Sequence, residues 1–298
     1  MTSRSAAPSE GGRHAAGTAA LIVVVVAFSF QTGSALGARL IEHVGVVEAV
    51  WLRTAFGAAI LALAQRRALH WPEPGHRLSF AALTVSLVGM NTFFFGAISQ
   101  APLGVVVAVE FLGPLSVAVV GSRRRLDLLW VALAAIGVVL LAGPTSSVSA
   151  LGLGLALGAA TCWGLFLVFA KRVVTVMDPL PVVTLMLVGA TLLLTPALIT
   201  TDPSSMLHAT PLLLGLSVAV LSSAFPYVLE FIALRLVRAA TYGVLLSMEP
   251  AVAALTGFLI LGQRLSVVEV AAIGAVALAA AGASWTSRDA SEVVEITA

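Results

Sequence analysis

Ten runs of roughly twenty mostly apolar residues, parted by short charged or proline–glycine breaks, leave this chain few ways to fold. As a helix rising about 1.5 Å per residue, a run of that length crosses about 30 Å of hydrocarbon. The strands of a membrane barrel would instead alternate apolar and polar residues, and no such alternation runs through the sequence. Only 10% of the 298 residues are charged and 59% are hydrophobic, against about 25% charged in soluble domains. The expected class is an all-α polytopic membrane protein. The runs fall at 18–36, 46–64, 78–97, 102–120, 126–143, 151–170, 181–199, 210–230, 239–260 and 266–285.

Composition narrows the chemistry as well. The net charge of +2 does not point to nucleic acid, because the basic residues crowd into short loops, where they fix topology. With one cysteine, Cys162, there is no internal disulfide and no metal-ligand spacing. His14, His43, His70, His76 and His208 all fall in the tail or loops, so no metal or other cofactor is expected. Residues 1–17 are polar, and the apolar run after them continues to about Leu36 without a cleavage site, which reads as a retained first helix.

Basic residues orient the bundle. With the N-terminus in the cytoplasm, thirteen lie in inside segments, only Arg39 and Arg264 in outside loops, and Arg53 within the second span. Both termini are then cytoplasmic. The halves also resemble each other: FLGPL around Pro114 pairs with SMEPA around Pro250, 136 residues on, and AAIG at 134–137 recurs at 271–274. Five spans per half is an odd number, so two such repeats lie inverted in the membrane, a plan common among secondary transporters. The expected layout is a tail at 1–17, one five-helix repeat at 18–143, a second at 151–285 and a tail at 286–298. Gly33–Gly37 and Gly154–Gly158 form GxxxG patterns on equivalent spans, suited to close helix approach.

Few ionisable residues sit well inside the spans: Arg53, Glu110, Glu230 and Glu249, with Asn91 and Tyr227 as neutral polar neighbours. Counted from the span edges, Arg53, Asn91 and Glu110 share one level about 10 Å deep, which permits an Arg53–Glu110 ion pair. Glu249 lies about 15 Å deep, near the midplane. Glu110 and Glu249 are too deep to snorkel, so they pair, face a wet cavity or carry protons. Arg53 has two readings, a cavity cation or a packing counter-ion. Glu230 reads as a cavity group or as an interfacial partner of Arg235, and Trp163 and Tyr227 as substrate contacts or packing aromatics. Pro114, Pro226 and Pro250 kink their helices and free carbonyls, which is tolerated where the backbone lines a cavity or neighbours satisfy it.

The stretches AVEFLGPLSVAVVGSRRRLDLLWVALAAIGV and LSSAFPYVLEFIALRLVRAATYGVLLSMEPAVAALTGFLILGQRLS carry a resemblance. So do WLRTAFGAAIL and GMNTFFFGAISQAPLGVVVAVEF. Over residues 20–285 the chain resembles the EamA-type branch of the drug/metabolite transporter superfamily, and within it the bacterial inner-membrane exporters of threonine and homoserine. The resemblance implies a ten-helix, inverted-repeat carrier that exports small amino acids by proton-coupled alternating access, as a monomer or homodimer in the inner membrane. It makes Arg53, Asn91, Glu110, Pro114, Tyr227, Glu230, Glu249 and Pro250 cavity or hinge positions. One departure stands out: such proteins commonly carry Leu-Gly-Glu after span 9, where this chain has Leu261-Gly262-Gln263-Arg264.

Arg53 beside Glu110 and Glu249 supplies both charges that a zwitterionic amino acid needs. On the same fold, Phe93, Phe94 and Phe95 would suit an exporter of drugs, purines or aromatic metabolites. An intramembrane enzyme would need a nucleophile–base pair or metal ligands at one level, and the sequence has neither HExxH nor GxSxG. A Walker A phosphate loop, the mark of an ATP-driven pump, is missing too.

Overall fold

The computed structural model describes residues 10–65, 71–120, 126–141, 148–201, 203–236 and 246–297. Among them there is no strand. The chain runs α1 (Glu10–Val44), α2 (Val46–Ala64), α3 (Arg77–Ile98), α4 (Leu103–Glu110), α5 (Leu112–Val120) and α6 (Leu126–Leu141). It continues as α7 (Ala150–Val173), α8 (Pro179–Leu194), α9 (Ala209–Ala219), α10 (Phe225–Leu236), α11 (Glu249–Leu261) and α12 (Val267–Thr297). Residues 239–245, where span 9 is expected to start, lie outside the described residues, as do Arg66, Arg67, Arg123, Arg124, Arg125 and Arg238.

Six stretches are long and apolar enough to cross a membrane: Leu21–Val44, Val46–Ala64, Pro74–Ile98, Ala150–Val173, Pro179–Thr200 and Ala209–Glu230. The other four runs form shorter apolar helices, Leu103–Val117, Leu129–Leu141, Glu249–Leu261 and Val267–Ala283. Large apolar side chains such as Leu63, Leu78, Val139, Leu192, Phe258 and Leu278 point outward. Outward-facing leucine suits a protein whose solvent is lipid rather than water. The chain is a multi-pass helical membrane protein.

Its helix ends follow local chemistry. The first helix does not stop near Leu36 but continues to Val44, so Arg39 sits on a helix rather than in a loop. No breaker intervenes before Gly45, whose φ of 92° lies in the left-handed region that glycine tolerates. The extension is held by Arg39–Glu42 at 3.7 Å and by the Arg39 carbonyl 2.8 Å from His43 Nδ1.

Four expected spans are interrupted among the described residues, each beside a proline; the seventh passes from α8 into a 3₁₀ turn over Thr195–Thr200 at Pro196. The fourth breaks at Phe111, between α4 and α5; Pro114 has no N–H to offer the Glu110 carbonyl four residues back. The eighth passes from α9 into a π-turn over Val220–Ala224 before α10. In the ninth, a turn at Ser247–Met248 precedes α11, with Pro250 in the first turn of that helix.

Without a hydrophobic force between helices in lipid, close packing and hydrogen bonds hold the bundle. The pairings are α3 with α7 and α1 with α9 and α10, α4 and α5 with α7 and α1 with α11, and α2 with α9 and α3 with α8. Three further contacts join α2 to α8, α4 to α11 and α6 to α12. Every residue of α4 is buried. Its N-terminus meets the end of α11, where the Leu103 N–H donates to Gln263 Oε1 at 3.0 Å. Gln263, the residue in the departing Leu-Gly-Gln-Arg stretch, thus joins the two halves, and its own N–H reaches the Gly257 carbonyl at 3.1 Å.

Candidate functional site

The seven polar and aromatic candidates lie on six different elements, yet they surround one cavity. Arg53 (α2), Asn91 (α3), Glu110 (α4), Trp163 (α7), Tyr227 and Glu230 (α10) and Glu249 (α11) all line it. The cavity measures about 70 Å³, space for several waters. It touches both large apolar clusters, through Phe94 on one side and Phe166 and Tyr227 on the other.

Arg53 is the best-anchored member. It is 3% exposed; its Nε donates to Ser223 Oγ at 2.7 Å and its Nη2 to the Ser222 carbonyl. Phe95 lies beneath, its ring centroid 5.4 Å from Cζ. The helix break explains why that carbonyl is available. In an unbroken α-helix Ser222 would accept from residue 226, and residue 226 is proline. The π-turn also leaves the Leu221 carbonyl to Ser29 Oγ of α1, at 2.6 Å. Gly33 lets α1 approach this closely, since a Cβ there would fall 2.7 Å from Ser222 Cβ. Gly154, its GxxxG counterpart, faces open space.

The Arg53–Glu110 ion pair that their shared depth permits is not formed among the described residues. The guanidinium is turned to the two serines, and neither Glu110 nor Glu249 makes a hydrogen bond or ion pair with another described residue. Glu110 nevertheless lies close enough to Arg53 for their charges to interact. Arg235, the expected partner of Glu230, has a side chain outside those described. Three carboxylates and one guanidinium therefore share one cavity.

Neutral groups complete the lining. Asn91 Nδ2 donates to the Leu87 carbonyl of its own helix at 2.9 Å, and its amide stands beside the Tyr227 hydroxyl, which has no partner of hydrogen-bond geometry. The Tyr227 ring is held edge-on by Phe30 at 5.3 Å, and the Phe166 ring lies tilted against it at 6.3 Å. Trp163 packs edge-on against Phe111, the break residue of span 4, at 5.0 Å. The triple phenylalanine divides: Phe94 lines the cavity, Phe95 lies under Arg53, and Phe93 is partly exposed beside Gly158.

Two lining residues were not anticipated, Gln31 and Ser34 of α1. Their signal was legible as uncharged polar residues mid-span, three apart and therefore on one helical face. A search confined to ionisable residues passes over them.

Three comparisons bear on this arrangement. Residues 150–285 match the EamA-like transporter family. The chain is 38% identical over 280 residues to the threonine/homoserine exporter RhtA of Escherichia coli (strain K12), covering 93% of this chain and 94% of that one. It is 36% identical to the protein of the same name from Salmonella typhimurium (strain LT2), with equal coverage. A solved crystal structure overlays with a TM-score of 0.67 at 19% identity, covering 92% of this chain and 98% of the other, and so shares the fold.

Proposed function

The chain belongs to the EamA-like transporter family, and from that premise we propose that it exports threonine, homoserine and related small amino acids across a bacterial inner membrane. The carrier is a ten-helix bundle of two inverted five-helix repeats with both termini in the cytoplasm. Its relatives are transporters rather than enzymes.

The observation that carries this reading is a single cavity holding one anchored guanidinium and three carboxylates. Arg53 commits Nε and Nη2 to the π-turn, while Nη1 has no hydrogen-bond partner among the described residues. A substrate carboxylate docks on that face of the guanidinium, and its ammonium lies among Glu110, Glu230 and Glu249. A zwitterion adds no net charge, so the surplus carboxylates still need neutralising, and protons do this. Loading protons from one side and releasing them to the other drives export.

Support for the inverted repeat comes from the helix pairings. Exchanging each span with the one five places on turns α3–α7 into the contact of α1 with α9 and α10, and α2–α9 into α3–α8. It leaves α2–α8, α4–α11 and α6–α12 unchanged. Rocking of the two repeats about the cavity then exposes it alternately, with the breaks at Phe111, Val220–Ala224 and Ser247–Met248 as bending points. The aromatic-cargo alternative keeps Phe94 of its three phenylalanines in the lining, beside Phe30, Trp163, Phe166 and Tyr227, and offers no use for the charged groups.

The test is release of radiolabelled threonine from loaded proteoliposomes. A Glu110→Gln, Glu249→Gln double variant should release at least about tenfold more slowly, since it loses two buried titratable groups. Normal release by that variant would overturn the role given to these carboxylates.

A further inference from the structure

Five buried side-chain atoms among the described residues lack a hydrogen-bond partner: Gln31 Oε1, His76 Nδ1, Thr92 Oγ1, Trp130 Nε1 and the Tyr227 hydroxyl. Only Gln31 and Tyr227 belong to residues that line the cavity. Both side chains are nearly inaccessible, at 4% and 2% exposure. A buried polar atom without a partner is costly and calls for an explanation, such as a ligand that completes it.

The charged groups of the cavity answer the ammonium and carboxylate that every amino acid carries, so they do not distinguish one from another. What remains for the substrate's side chain is neutral. Gln31 Oε1 accepts a hydrogen bond, and the Tyr227 hydroxyl both donates and accepts. A hydroxyl is the small neutral group that donates to the first while accepting from the second. An aliphatic side chain offers no hydrogen bond to either atom. Tyr227 is also preorganised, because Phe30 and Phe166 fix its ring from two sides.

We infer that Gln31 and Tyr227 form a hydroxyl subsite, which selects amino acids with a side-chain hydroxyl over the same molecules lacking it. This rests on the amino-acid reading above. A site built to hydrogen-bond a substrate hydroxyl rejects the deoxy analogue strongly, because its own polar groups are then left unpaired.

One probe serves both named substrates. Removing the hydroxyl from threonine or from homoserine gives the same compound, 2-aminobutyrate. The purified full-length protein in nanodiscs is loaded with radiolabelled threonine, and unlabelled threonine, homoserine and 2-aminobutyrate compete for the site. The expected result is that 2-aminobutyrate competes at least about tenfold more weakly than either hydroxy amino acid. In Gln31→Met and Tyr227→Phe the gap narrows toward unity, because threonine weakens while 2-aminobutyrate, measured directly with its own label, keeps its affinity. That retained affinity also reports a folded cavity. Equal competition in the wild-type protein would overturn the subsite alone, as would variants that weaken both ligands by the same factor. Failure of the wild-type protein to bind either labelled amino acid would overturn the amino-acid reading, and this inference with it.

Discussion

Arg53 on α2 and Gly189 on α8 are 136 residues apart, the spacing that also separates Pro114 from Pro250. Each faces the helix that crosses its own, and the two crossings are built differently. Gly189 meets Thr84 of α3, so closely that a Cβ would lie 3.0 Å from Thr84 Cγ2. That stretch of α3 is unbroken, and the Thr84 hydroxyl donates to its own helix at Phe80 O, 3.0 Å away. Arg53 meets a π-turn, with the Ser222 carbonyl turned toward it. Where a helix satisfies its own backbone, the neighbour needs only to be small. Where a proline and a π-turn have opened it, the neighbour must bring donors, and arginine brings five. Two positions 136 residues apart can thus carry a cation at one helix contact and a small residue at the other.

Replacing Arg53 gives the largest expected effect. Arg53→Leu takes the guanidinium from the Ser222 carbonyl and Ser223 hydroxyl and removes the cavity's cation. Threonine release should fall about a hundredfold or more, the scale of breaking a buried charged contact. Gly189→Ala should leave release within about twofold and cost about 1–3 kcal/mol in overpacking. Similar transport defects in the two variants would erase the contrast.

Pro226→Ala tests whether the proline is what turns the carbonyl outward. The new N–H competes with Arg53 for Ser222 O, so release should drop about tenfold at matched protein amounts, as one charge-assisted hydrogen bond is lost. Unchanged release would assign the opening to the π-turn alone. Gly33→Ala puts a Cβ 2.7 Å from Ser222 Cβ and 3.0 Å from the Ser222 backbone N, a destabilisation of about 1–3 kcal/mol in detergent-solubilised thermal unfolding. Gly154→Ala, facing open space, should stay within about 0.5 kcal/mol.

Much of this was legible in the residues themselves. Runs of apolar length gave the helices, and a charge at depth marks a cavity because hydrocarbon does not tolerate it otherwise; Arg53, Glu110 and Glu249 follow from that rule. What stayed hidden depends on backbone carbonyls, which have no letter of their own. Nothing in LSSAFP states that Ser222 O points sideways, so shared depth permitted a Glu110 partner for Arg53 and gave no sign of the serines. The same limit hid the continuation of α1 through Arg39, because charged residues close a span in a hydropathy reading but not in a helix. Gln31 and Ser34 escaped for a simpler reason: a neutral polar residue costs less in the membrane than a charge, and its signal is proportionately weaker.

The join between Leu103 and Gln263 is made by a group that does not titrate. A carboxamide neither gains nor loses a proton at any physiological pH. The usual glutamate in that place would alternate between an acceptor with full charge and a neutral acid, and its grip on the α4 N-terminus would vary with the medium. Here the clasp between α4 and α11 is indifferent to hydrogen-ion concentration.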